Sequence, residues 1–119
     1  MKFSFNNDTP IYLQLINQLK IEIISGNISL GKKLPSVRDL AIECKVNPNT
    51  IQRALSELEE IGIIYTERTN GKFVTEDKKL IDKLKKEYAF EESKKYIEVM
   101  KNIGFNKDEI IDFIKNMKG

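Results

Sequence analysis

The chain has no histidine and only one cysteine, and these two shortages exclude much chemistry at once. Without an imidazole there is no histidine general base, and without cysteine or histidine clusters there is no zinc site of the usual composition. Cys44 has no partner for an intrachain disulfide. It stands near a helix end among apolar neighbours, where a cysteine behaves as a small hydrophobe rather than a reactive thiol. Long hydrophobic runs are missing too. The longest, Ile61 to Tyr65, is broken by Gly62, so no membrane span is expected. Met1 to Asn6 lacks the apolar stretch of a signal peptide, and a cytoplasmic location follows as the expectation. No nucleophile–base pair, glycine-rich phosphate loop or metal cluster is visible, so the reading is not of an enzyme and calls for no cofactor.

A strong excess of one charge is also lacking. The net charge is only +2, and residues 1–75 hold nine Lys/Arg against eight Asp/Glu. Any positive face must therefore come from local arrangement, and a nucleic-acid reading must rest on pattern.

What is present suits one soluble domain with an appendage: 119 residues, 40% hydrophobic and 32% charged. A first helix is predicted from Thr9 or Pro10, with an apolar stripe at Tyr12, Leu15, Ile16, Leu19 and Ile23 and a cap at Gly26. Asn27 to Pro35 reads as a loop. Ser36 and Asp39 then open a short second helix in the manner of a capping box, with Val37, Leu40 and Ala41 on its apolar face. It ends by Cys44, and Lys45-Val46 makes a tight turn.

Asn47 as N-cap and Pro48 as first residue start a third helix at once. Its apolar face is Ile51, Ala54, Leu55, Leu58 and Ile61, and Gly62 ends it. The opposite face carries Asn49, Gln52, Arg53, Ser56, Glu59 and Glu60. The period then changes to that of strands. Ile63–Thr66 and Lys72–Thr75 flank Asn70-Gly71, a strong hairpin dipeptide. A helix, a helix-turn-helix and a hairpin, in that order, predict a winged helix-turn-helix, mostly α with a small β-hairpin.

Residues 76–119 carry no proline and many charges. Leu80, Ile81, Leu84 and Tyr88, then Ile97, Met100 and Ile103, predict a long helix. After Gly104, Asn106 caps a last helix bearing Ile110, Ile111, Phe113 and Ile114. The lysines of 78–86 read as a solvated face, and Tyr88, Phe90 and Tyr96 as packing residues. The expected division is a winged helix-turn-helix domain over 1–75 and a two-helix arm over 76–119, too short to enclose a metabolite.

Two short helices joined by a tight turn, the second opening with small polar residues, suit the major groove of double-stranded DNA. Asn and Gln pair with adenine and Arg with guanine. Periodicity alone allows a plainer reading, the solvated face of an amphipathic helix. It also leaves open a winged helix that binds protein or RNA.

Several ordered motifs bear on that choice. Pro10-Ile11-Tyr12-x-Gln14-Leu15, Leu34-Pro35-Ser36-x-Arg38-x-Leu40-Ala41 and Val46-Asn47-Pro48-Asn49-Thr50-Ile51-x-Arg53-Ala54 resemble the GntR regulators. Leu58-x-x-x-Gly62 and Gly71-x-Phe73-Val74 extend the likeness over Pro10 to Thr75. The Asn-Pro-Asn-Thr helix start and the short arm resemble the YtrA subfamily in particular. The resemblance implies that Arg38 grips the DNA backbone, that Asn49, Thr50, Gln52 and Arg53 face the bases, and that Gly71 lies at the wing tip. With Asn47, Asn70 and Lys72 beside them, these form the expected DNA-contacting set. It further implies a homodimer joined through the C-terminal helices, and symmetric pairing suits an operator of two half-sites. With no added surface for recruiting polymerase, repression rather than activation is expected. Two positions depart from the family pattern: Lys45 replaces the usual turn glycine, and the wing reads Thr69-Asn70-Gly71 instead of Gly-x-Gly.

Overall fold

The computed structural model describes residues 3–119; Met1 and Lys2, part of the stretch expected not to be a leader, lie outside them. Helix α1 spans Ile11–Ile24, α2 Val37–Cys44 and α3 Pro48–Ile61, followed by strands β1 (Ile64–Glu67) and β2 (Gly71–Val74). Helices α4 (Lys78–Asn102) and α5 (Lys107–Asn116) complete the chain. This is a winged helix-turn-helix with two C-terminal helices, as the sequence pattern predicts. Among the described residues no helix is long and apolar enough to cross a membrane.

Helix α1 starts at Ile11, one residue after the later of its two expected starts. Pro10 has an extended ψ of 139° and occupies the N-cap, its carbonyl accepting the Leu13 and Gln14 N–H groups. Leu15, Leu19 and Ile23 are fully buried, while Tyr12 and Ile16 lie half-buried at the margins of the stripe. Ahead of the helix, an extended segment is clasped by two glutamines one turn apart. Gln14 accepts the Asn6 N–H at 3.0 Å and donates to the Asn6 and Thr9 carbonyls at 2.9 and 2.7 Å. Gln18 makes the same two-way pairing with Ser4 at 3.1 and 2.7 Å.

The predicted loop over 27–35 is only partly irregular. Its second half runs beside β2: Gly31 N–H donates to Val74 at 3.0 Å, Val74 N–H to Lys32 at 2.9 Å, and Leu34 N–H to Lys72 at 2.8 Å. Lys33 thereby bridges Phe73 in antiparallel fashion. A segment of this kind has no hydrophobic alternation to announce it, because its strand-like state is imposed by the edge of the hairpin.

Ser36 Oγ accepts the Asp39 N–H at 3.0 Å and opens α2. Lys45 closes it with φ 56° and ψ 46°, the one non-glycine residue with positive φ among those described. Burial, and next to it the Glu43 carboxylate, push the Cys44 thiol pKa upward, away from reactivity.

In α3, Ile51, Ala54, Leu55 and Leu58 are fully buried, and the helix packs against α1, α2 and β1. Ile61, expected on the same face, is 40% exposed. Gly62 (φ 96°) reverses the chain straight after it, and Ile63, fully buried, takes the core position instead.

The strands are shifted one residue from the expected runs, pairing Ile64 with Val74 and Glu67 with Gly71. Asn70-Gly71 does not form a two-residue type I′ turn, which would need positive φ at both positions. The turn instead runs from Glu67 to Asn70, with the Asn70 N–H donating to Glu67 at 3.2 Å, and Gly71 alone adopts a positive φ of 104°.

The chain forms two compact units, the first ending at Lys83 and the second beginning at Leu84. Asp77 Oδ1 accepts the Leu80 N–H at 3.2 Å at the entrance to α4, and Leu80 lies against Gly62 within the first unit. In the second unit Leu84, Met100 and Ile110 are buried, and Phe105 meets Phe113 edge-on. Asn106 and Glu109 make a complete capping box for α5. Phe90 and Tyr96, expected to pack, are 64% and 38% exposed.

Candidate nucleic-acid interface

The turn between α2 and α3 is tight because two caps follow each other within three residues. Lys45 in the left-handed region lets the Val46 N–H donate to the Ala41 carbonyl at 3.1 Å. Asn47 then accepts the Asn49 N–H through its Oδ1 at 2.7 Å, and Pro48 enters the first helical turn without an N–H to satisfy. The side-chain oxygen of Asn47 is therefore committed to shaping the helix start. Asn49, Gln52 and Arg53 are exposed on the outer face, and Thr50 is half-buried beside them.

Two of these side chains are already oriented by neighbours. Gln52 Nε2 donates to Ser56 Oγ one turn further on, at 3.2 Å. The Arg53 guanidinium carbon sits 3.6 Å from the centroid of the Tyr12 ring on α1. Arg38 is exposed in the first turn of α2, apart from the α3 set in sequence but on the same motif.

The wing is fastened to α3. Lys72 Nζ donates to Thr66 Oγ1 at 2.8 Å and stands 3.5 Å from Glu59 Oε2, while Thr66 Oγ1 donates to Glu59 Oε1. These contacts hold the Glu59 carboxyl below its usual range: the Thr66 hydrogen bond contributes most and the Lys72 charge adds to it. Lys72 thus points back toward the protein rather than outward from the hairpin. Asn70 is exposed and donates through Nδ2 to Glu67 at 3.1 Å. Further along the hairpin, Tyr65 and Phe73 pair across the strands and stack at 5.7 Å, stiffening the hairpin face.

Lys33 and Arg68 are cations of this surface that pattern reading passed over. The Lys33 stem lies against Gly71, where a Cβ would meet Lys33 Cε at 3.2 Å. Arg68 is exposed in the wing turn. Lys33, Ser36 and residues 66–72 line a cleft of about 350 Å³ between the start of α2 and the wing. The signal for Arg68 was its place in the hairpin turn; Lys33 had none, because only the backbone pairing with Phe73 brings it to the wing.

Comparison with known proteins agrees with this geometry. Residues 11–74 match the model of the bacterial regulatory proteins of the gntR family. An uncharacterized HTH-type transcriptional regulator of Bacillus subtilis, YhcF, is 41% identical over 97% of this chain and 95% of its own length. The HTH-type transcriptional repressor YtrA of the same organism is 47% identical over 61% of this chain and 56% of its own. A solved GntR family transcriptional regulator from Listeria monocytogenes superposes with a TM-score of 0.89 at 44% identity, covering 96% of this chain and 100% of that one. The chain belongs to the GntR family and is a DNA-binding transcriptional regulator of the winged helix-turn-helix type.

Proposed function

We propose that the protein binds a two-half-site operator as a homodimer and represses the genes behind it. In this reading α3 enters the major groove of each half-site. Asn49, Thr50, Gln52 and Arg53 face base edges, and Arg38 contacts the backbone from α2. Asn47 contributes mainly by building the helix start, whose N–H groups and partial positive charge favour phosphate. Asn70 and Gly71 lie at the advancing edge of the wing, with Lys33 and Arg68 supplying its charge and Lys72 holding it to α3.

One observation carries the reading. Helix α3 is fully buried along Ile51, Ala54, Leu55 and Leu58, yet presents Asn49, Gln52 and Arg53 to solvent on the other side. Such a face has the chemistry to discriminate bases and too little apolar surface to dock a protein helix. The two C-terminal helices supply the dimer contact, and C2 pairing matches the symmetry of two half-sites.

Selection of bound fragments from a random DNA pool, followed by binding titrations, tests this. A pair of similar half-sites should emerge, with affinity falling as salt rises because phosphate contacts release counterions. Equal affinity for selected and random duplexes overturns it.

A further inference from the structure

We propose that Tyr12 is a positioning residue for DNA reading: its ring holds the Arg53 guanidinium in the orientation from which that side chain contacts the operator. The inference rests on the reading that α3 docks in the major groove, and it adds a residue from α1 to a surface otherwise built from α2, α3 and the wing.

Tyr12 lies in the first turn of α1, half-buried at the margin of a stripe whose centre is Leu15, Leu19 and Ile23. Helix α1 packs against α3, so the ring meets α3 from the side. The Arg53 guanidinium carbon is 3.6 Å from the ring centroid, the closeness of a cation seated on a π face. Yet Arg53 as a residue remains exposed. Stacking occupies one flat face of the guanidinium and none of its five N–H donors, which lie in the plane and point outward around its edge. A stacked arginine is therefore still able to make a two-pronged contact, and it has already lost the side-chain freedom that binding would otherwise remove.

The ring also explains a choice of residue type. An aliphatic residue at position 12 would fill the same margin of the core but offer no quadrupole to the cation. A lysine at position 53 would keep the charge but not the planar stack.

The test combines binding and spectroscopy on the full chain. Affinities for a selected operator and a scrambled duplex are measured for wild type, Tyr12→Leu, Tyr12→Phe, Arg53→Ala, Gln52→Ala and the Tyr12→Leu/Arg53→Ala double variant. Tyr12→Leu should reduce the operator-to-scrambled ratio about two- to fivefold, the scale of one exposed cation–π contact. Tyr12→Phe should retain the ratio, and in the Arg53→Ala background Tyr12→Leu should change nothing further. In the free protein, the Arg53 side-chain proton resonances should be shifted upfield by the ring, a signature lost in Tyr12→Leu and kept in Tyr12→Phe. This signature reads the contact even if Tyr12→Leu is too unstable for titration.

An equal loss on both duplexes, or the same loss with and without Arg53, makes Tyr12 a packing residue only. Tighter operator binding by Tyr12→Leu means that the ring holds Arg53 away from DNA. A neutral Arg53→Ala beside an impaired Gln52→Ala leaves the groove docking intact and removes this proposal. If both are neutral, the docking itself is wrong and the proposal falls with it.

Discussion

Lys72 on β2 and Glu59 on α3 face each other at 3.5 Å, with the Thr66 hydroxyl hydrogen-bonded to both. The wing is consequently oriented by the helix it flanks. The Glu59 carboxyl titrates below its ordinary value chiefly through the Thr66 hydrogen bond and secondarily through Lys72. A carboxyl with a depressed folded-state pKa stabilises the fold fully above its ordinary value, and the contribution is lost as pH falls through the depressed one. Glu59→Gln should thus be less stable than wild type at neutral pH, with a gap that narrows as acid titrates the wild-type group. Urea denaturation across the carboxylate range measures this, and a gap independent of pH would show that charge has no part in the latch.

That latch shows where sequence reading stops. Helix starts are legible because capping is local: Ser36, Asn47 and Asn106 each accept an N–H two or three residues ahead. Burial of Leu15, Leu19, Ile51, Leu55 and Leu58 is legible from the helical period. Lys72, by contrast, looks like any wing cation until β2 is set beside α3, and its partner Glu59 lies thirteen positions away on another element. Lys33 is hidden for the same reason, its role following from a bridge to Phe73. Arg53 is legible as an outer-face residue, but its stack on Tyr12 depends on how α1 crosses α3. Local chemistry reaches the identity of the site residues; the contacts that aim them are tertiary.

The strained turn before the recognition helix gives a second expectation. Lys45 has φ 56° without being glycine or asparagine. A side chain there costs roughly 1–2 kcal/mol, partly offset by the entropy a glycine would lose on folding. Lys45→Gly should raise stability by about 0.5–1 kcal/mol in chemical denaturation. A decrease would mean that the lysine side chain makes a compensating contact.

Reading and gripping the DNA should separate by residue. Gln52→Ala should lower affinity for the selected operator by about 1–3 kcal/mol and scarcely affect a scrambled duplex. Arg38→Ala should weaken both together and reduce the salt slope by about one contact. Gln52 and Arg38 are both exposed, so melting temperatures should barely move. Titrations on both duplexes at several salt concentrations decide the matter; the reversed pattern would show the motif docked the other way round.

The arm provides the last expectation, because the second unit leaves most of its large apolar side chains in solvent. Phe90, Val99, Ile103 and Met117 are 64%, 60%, 66% and 61% exposed, and Phe113 and Ile114 about half so. Val99 lies in the last turn of α4 and Ile103 just past its end, where the Ile103 N–H donates to the Val99 carbonyl at 3.3 Å. An apolar face of this extent is a burden to a monomer, and the proposed homodimer covers it with a second copy. The double substitution Val99→Glu/Ile103→Glu should give a folded monomer in sedimentation, since neither residue belongs to the buried set of Leu84, Met100 and Ile110. Operator affinity should fall roughly 10²-fold or more, because two linked half-site contacts become independent. Affinity for a single half-site should stay unchanged. Removing the arm is a harsher version of the same experiment, and the place of the cut matters. Ile81 is buried and Leu80 lies against Gly62, so a chain ending at Lys83 should fold as well as the full protein, whereas one ending at Thr75 should melt earlier. A Val99→Glu/Ile103→Glu protein that remains dimeric and binds the operator at full strength would place the dimer contact elsewhere.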